Sequence, residues 1–237
     1  MPAPQSPHRW IGKYTVAIEN SIHQQSMRKL EELLDPQESA WPLVQEWVEG
    51  CELPIQVLPP SAVCDSVLAD LQVSTRSPLG AIAHGTGGIL IDGGWLRMLG
   101  SGHPKLSRNL SNWNHQRANG FMLIADDVLG GFFAINGGGL GKDQGAIYYF
   151  APDTLAWESL EVGHSEFTQW AFTVRLREFY RGFQWEGWQA DVAALHGDSC
   201  FSLYPFLFTA QGSVQTSSRK PVSIAEQYAF HLAGGKP

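Results

Sequence analysis

With 237 residues, 43% of them hydrophobic and 16% charged, the chain is long enough to bury one substantial core beneath a weakly charged surface. Its formal net charge of -7, without any run of Lys or Arg, disfavours nucleic-acid binding, because that binding depends on basic side chains displacing counterions from phosphates. A basic protein partner fits better. The longest apolar runs, at 122–125 and 146–151, fall far short of the roughly 18 residues that span a bilayer, and residues 1–26 hold no apolar secretion segment. A cytoplasmic protein is therefore expected, with no membrane partner. Cys51, Cys64 and Cys200 are far apart and form no CxxC pair, so they read as reduced, mostly buried thiols.

Residues 1–26 are polar and aperiodic, with prolines at 2, 4 and 7, and are expected to form a loose extension before a single α+β domain over 27–237. Met27 reads as the natural start. Met27, Leu30, Leu33 and Leu34 share one face of a short helix that Asp35-Pro36 ends. A second helix is capped by Ser39, tolerates Pro42 in its first turn, and carries Trp41, Val44, Trp47 and Val48 as its apolar stripe up to Gly50. After a short strand at 54–57, Pro59-Pro60-Ser61 introduces a third helix on which Cys64, Val67, Leu68 and Leu71 recur at helical spacing. From Ser77-Pro78 the pattern changes to apolar runs separated by glycine, so 80–83, 88–91 and 95–99 are predicted strands. Hairpins at His84-Gly85-Thr86-Gly87 and Asp92-Gly93-Gly94 would join them, since glycine accepts positive φ.

A polar segment at 100–119, long for a structureless connection, leads to a glycine-punctuated meander of three strands around 121–125, 132–136 and 146–150, with Asp126-Asp127 in its first turn. A short strand near Trp157-Glu158 follows. Ser165 is placed to cap a helix carrying Phe167, Trp170, Ala171 and Val174, with 175–180 continuing it, and Trp188, Val192 and Leu195 mark another helix over 187–195. Pro205 makes 199–208 an edge or buried connection, and a terminal helix begins after Pro221 and runs to His231. The fold class expected is α+β: a roughly six-stranded, mostly antiparallel sheet with N- and C-terminal helices packed on it.

Four phrases carry a family likeness: residues 38–44 (Glu-Ser-Ala-Trp-Pro-Leu-Val), 74–83 (Ser-Thr-Arg-Ser-Pro-Leu-Gly-Ala-Ile-Ala), 95–103 (Trp-Leu-Arg-Met-Leu-Gly-Ser-Gly-His) and 130–138 (Gly-Gly-Phe-Phe-Ala-Ile-Asn-Gly-Gly). From about 27 to 233 the chain resembles a bacterial family classed as a domain of unknown function, DUF2625. More loosely, the order of 124–136, 147–150 and Ser165-Glu166-Phe167 is similar to the SUKH superfamily. That second resemblance implies an α+β protein-binding module, several such modules being immunity proteins that neutralise nuclease toxins.

Among candidate chemistries, Ser101 and His103 form the strongest enzyme-like pair. However, Ser101 has glycine at -1 and +1, whereas a nucleophile elbow needs it at -2 and +2. A small-molecule hydrolase using the 100–119 loop, with His103 as base, is the alternative function. The glycine-rich segment at 137–143 does not make a phosphate loop, because Asn136 stands where its first glycine belongs and Asp143 where Ser or Thr belongs. His84, His103, His115 and His164, with Asp92, Asp126 and Asp127, lack any HxH or HxxxH spacing, so neither metal nor cofactor is expected. The leading expectation is a non-catalytic domain that binds a basic protein. Asp126, Asp127, Asp143 and Asp153 would be its acidic contacts, and tryptophans near turns, Trp95, Trp113 and Trp157, its anchors.

Overall fold

In a computed structural model that describes residues 27–235, seven strands form one antiparallel sheet whose spatial order follows the sequence. They are β1 (Ile55–Leu58), β2 (Gly88–Ile91), β3 (Leu96–Leu99), β4 (Phe121–Asp127), β5 (Phe132–Asn136), β6 (Ile147–Phe150) and β7 (Trp157–Ser159). A separate pair, β8 (Ser199–Tyr204) and β9 (Ser218–Ser223), is tied to the large sheet where the Phe201 N–H donates to Val128 O at 2.7 Å. The helices are α1 (Leu30–Leu33), α2 (Trp41–Glu49), α3 (Cys64–Leu71), α4 (Pro78–Gly85), α5 (Leu110–Asn114), α6 (His164–Ala171), α7 (Arg175–Phe179), α8 (Trp188–Ala194) and α9 (Ile224–Leu232). None of these is long and apolar enough to cross a membrane.

All residues of β3 and β6 are buried, and neighbouring side chains on a strand point to opposite faces, so the centre of the sheet is covered on both sides. On one face Phe133 stacks on Tyr149 at 4.6 Å, and the pair meets Phe167 of α6 and Phe179 of α7. On the other, Phe132 packs edge-on against Tyr228, and Phe150 approaches His231, both on α9. The alternation along β4 sends Asp126 to the α9 face and Asp127 to the α6–α7 face. A single buried apolar cluster runs from Ala40 to Tyr228.

The α+β class and the antiparallel sheet agree with the sequence pattern, but several elements differ. Residues 80–83, predicted as a strand, lie inside α4. Ser77 Oγ accepts from the Gly80 N–H at 3.1 Å and Pro78 takes the first helical position, so a capped helix start outweighs a four-residue apolar run that suits either structure. A side chain at Gly80 would meet Ser74 O at 2.1 Å, so glycine is required there by close approach. His84 to Thr86 therefore end a helix and make no hairpin. Similarly, Gly163 caps α6 in place of Ser165, with Glu166 accepting from its N–H at 3.1 Å. Pro221 falls inside β9, and the terminal helix starts three residues later at Ile224, capped by Ser223. The 100–119 segment holds α5 and buries Leu106, Leu110 and Trp113. The extension expected at 1–26 lies outside the described residues.

Candidate functional site

Asp126 and Asp127, expected as exposed contacts, are both 0% exposed. The correction follows from strand position: they end β4, where β3 flanks them, instead of standing in a turn. Asp126 sits opposite Arg97 in the register, and its Oδ1 accepts from Arg97 Nε at 2.7 Å while Oδ2 accepts from Arg108 Nη1 at 2.5 Å. The remaining guanidinium donors are used by main-chain oxygens: Arg97 reaches Ser199 O and Asp127 O, and Arg108 reaches Gly197 O. Arg108 also donates to Asp198 Oδ1 at 3.0 Å. Burial pushes the Asp198 carboxyl up, but hydrogen bonds from Ser107 and the Arg108 charge outweigh it and hold the group below the usual range. The network thus locks β3, β4, the 100–109 loop and the start of β8 together.

On the opposite face, Asp127 accepts four hydrogen bonds, from the Leu129 and Gly131 N–H groups and from the Tyr149 and Tyr180 hydroxyls. Burial raises its carboxyl, with these donors pulling against it. Burial first, and the Asp127 charge second, push both tyrosines well above their ordinary value, so they remain donors. A carboxylate sealed in this way supports the β4–β5 turn and has no path to a substrate.

The Ser101 hydroxyl is 1% exposed; it donates to Thr86 O at 2.8 Å and accepts from the Ser61 N–H at 2.9 Å. His103 does not bond to it, because its Nδ1 accepts from the Lys105 N–H at 3.1 Å. The Ser101 hydroxyl is therefore committed to loop structure, and His103 is not paired with it. Trp113 is 3% exposed, with the Arg108 and Arg117 guanidinia 4.7 and 4.5 Å from its ring, and Trp95 is 1% exposed among Tyr180, Trp185 and Trp188. Neither offers an anchor to a partner. The glycine loop after β5 wraps around Asn136, whose Oδ1 accepts from the Gly138 and Leu140 N–H groups, leaving those donors unavailable to phosphate.

The other expected contacts lie on or beside one strand. Among the described residues, β7 ends the seven-stranded sheet and pairs only with β6. Asp153 lies in the turn that leads into it, Trp157 opens it, and Asp143 is bound to its last residue through Ser159 Oγ at 2.6 Å. Trp157 is half-buried against Phe121 and Phe150, and Asp143 is exposed. Hydrogen bonds from Ser159 and then Tyr148 hold the Asp143 carboxyl below the usual range, so it is ionised at neutral pH. Sequence reasoning missed Glu158 and Glu161, both exposed beside these groups. For Glu158, alternation with Trp157 and Ser159 was the available signal. From 142 to 166 the five carboxylates Asp143, Asp153, Glu158, Glu161 and Glu166 face Lys142 as the single Lys or Arg.

An open cleft of about 480 Å³ elsewhere is lined by Gln56, Leu90, Arg97, Lys105, Val192 and His196. Arg97 in its wall is already committed to Asp126, and among the described residues no carboxylate, serine or cysteine lines it. Among the described residues, Cys64, Asp65 and His84 form the one group with convergent metal-ligand atoms. Of the histidines and aspartates weighed from the sequence, only His84 belongs to it. Asp92 is instead paired with Arg177 at 2.6 Å.

The family model described as "Protein of unknown function DUF2625" matches residues 30–227. The uncharacterised protein YbfG of Escherichia coli K12 is 45% identical over 207 residues, which cover 84% of this chain and 94% of that protein. An uncharacterised protein of Haemophilus influenzae is 36% identical over 216 residues, covering 87% and 95% respectively. No solved structure matches.

Proposed function

The chain belongs to the DUF2625 family, and we propose that it is a cytoplasmic, non-catalytic protein-binding domain that holds a basic partner along β7. What carries this reading is the placement of Asp143, Asp153, Trp157, Glu158 and Glu161 on or beside the terminal strand of the sheet, with Glu158 on one face of it and Trp157 and Ser159 on the other. A strand with one unpaired side offers main-chain donors and acceptors to an incoming segment, and the carboxylates select a cationic one. Trp157 contributes apolar contact area at low entropic cost. Occupation of the Ser101 and Asp127 side chains by internal hydrogen bonds supports the non-catalytic part. Cysteines 51, 64 and 200, all free, suit a reducing compartment. The SUKH resemblance would make a basic toxin one such partner, with the chain as its immunity protein.

The test is affinity capture from the native cell with two baits, the wild type and an Asp153→Lys/Glu158→Lys/Glu161→Lys variant of matched thermal midpoint. A basic protein held by the wild type at low salt and lost to the variant is expected. Capture of nothing, or of the same proteins by both baits, would overturn the reading.

A further inference from the structure

Where α3 begins and α4 ends, three side chains of different ligand chemistry meet, away from both the buried ion network and β7. Cys64 and Asp65 are the first two residues of α3, and His84 lies in the last turn of α4, which packs directly against α3. Cys64 Sγ, an Asp65 carboxylate oxygen and a His84 ring nitrogen all lie within 4.8 Å of one another. His84 Nε2 is 2.8 Å from Asp65 Oδ1, and Cys64 Sγ is 4.0 Å from that same oxygen. We propose that these three residues bind one zinc ion, with water in the fourth position.

The donor set decides the metal. One sulfur, one imidazole nitrogen and one carboxylate oxygen suit a borderline-soft tetrahedral ion, whereas calcium and magnesium require a shell of oxygens. Zinc bonds of about 2.3 Å to sulfur and about 2.1 Å to nitrogen and oxygen, set at tetrahedral angles, separate the donors by about 3.4–3.6 Å. The two measured separations bracket that range. His84 and Asp65 must part, and Cys64 must close on Asp65, by about half an ångström each, and Cys64 and His84 start no more than 4.8 Å apart. Rotation about side-chain bonds supplies such movement without shifting either helix.

The surroundings also suit an exchangeable ion. The His84 and Asp65 side chains are 30% and 59% exposed, so an ion and its water have access from solvent. The ligands stand on packed helices: α4 buries Gly80, Ala81, Ile82 and Ala83, and α3 buries Val67 and Leu68. Asp65 already points at His84 before any metal arrives. Coordination replaces that hydrogen bond with two metal bonds: the proton on His84 Nε2 passes to Nδ1 as the neutral ring changes tautomer, and the Cys64 thiol proton is released to solvent, so charge and protons balance. Burial first, then the Asp65 charge, keep the free thiol protonated, and the cation reverses that preference.

Cobalt(II) added to the reduced full-length protein tests the site, since a cobalt–thiolate bond gives a near-ultraviolet charge-transfer band and a tetrahedral site gives intense visible bands. Both bands are expected at one equivalent of cobalt, lost on zinc addition and absent in Cys64→Ser. Competition with a chromogenic zinc chelator should show at least about tenfold weaker binding in His84→Gln and in Asp65→Asn. Thermal midpoints without metal control for folding. Absence of a thiolate band in the wild type, or a band that survives Cys64→Ser, would overturn the assignment.

Discussion

Asp126→Asn is the substitution to which the fold should be most sensitive. The carboxylate is 0% exposed and lies between Arg97 and Arg108, whose side chains are 2% and 9% exposed. Asparagine keeps the shape but replaces one acceptor oxygen with a donor, which must then face a guanidinium donor. It also leaves two buried cations without the anion between them. Breaking a buried pair by removing one partner costs about 3–5 kcal/mol, against a whole-protein stability of about 5–15 kcal/mol. With a urea slope of about 3 kcal/mol per molar, the unfolding midpoint should fall by about 1–1.7 M, read from tryptophan fluorescence. A shift below about 0.3 M, worth about 1 kcal/mol on the same slope, would refute the view that the network holds β3, β4 and β8 together. Replacing all three residues with apolar ones should not restore stability, because the guanidinia also satisfy Ser199 O, Asp127 O and Gly197 O.

Two further outcomes concern other buried groups. Tyr149→Phe removes one of the two hydroxyl donors to Asp127 Oδ2, a charge-assisted bond worth about 1.5–3 kcal/mol, and urea unfolding should show that loss; a change under about 0.5 kcal/mol would contradict it. The His231 ring bonds through Nδ1 to Gly130 O at 3.0 Å and through Nε2 to the Gln227 amide at 2.6 Å, which suits the neutral ring, and burial lowers its pKa to about 4. The folded value lies below the ordinary 6.5, so the contribution is complete above about pH 6.5 and is lost as pH falls towards 4, amounting to about 3 kcal/mol. Asp127, raised by burial, acts in the opposite sense at acid pH, so the comparison of wild type with His231→Phe isolates the histidine. Unfolding midpoints measured between pH 7 and about pH 4 should decline less steeply in the variant; equal slopes would contradict the assignment.

The meander was legible because β4, β5 and β6 are aromatic and β-branched runs punctuated by glycine, a local signal. Residues 80–83 were not, since four apolar residues fit a strand or a buried helix and only the Ser77-Pro78 start distinguishes them. Adjacent acids beside glycine read as a turn, yet Asp126 and Asp127 end a strand. Their burial depends on Arg97 and Arg108, 29 and 18 positions from Asp126, and no spacing rule connects them. The same holds for Asp65 and His84, 19 positions apart, which meet only because α4 folds back onto α3. Asp143, Asp153 and Trp157 could be named from sequence as polar or aromatic groups near turns. That Glu158 and Glu161 are exposed on and beside an edge strand depends on β7 being the last strand, which is a property of topology.

Binding along β7 is tested most directly by the salt dependence of affinity for the captured partner, measured with the wild type and the Asp153→Lys/Glu158→Lys/Glu161→Lys variant. Exposed ion pairs contribute roughly 0.2–1 kcal/mol each and are screened over about 8 Å at physiological ionic strength. The wild-type dissociation constant should therefore rise steadily with salt. At low salt the variant should bind about 5- to 150-fold more weakly, corresponding to about 1–3 kcal/mol, with a flattened salt slope. Equal affinities and parallel slopes for the two proteins would contradict an acidic docking edge.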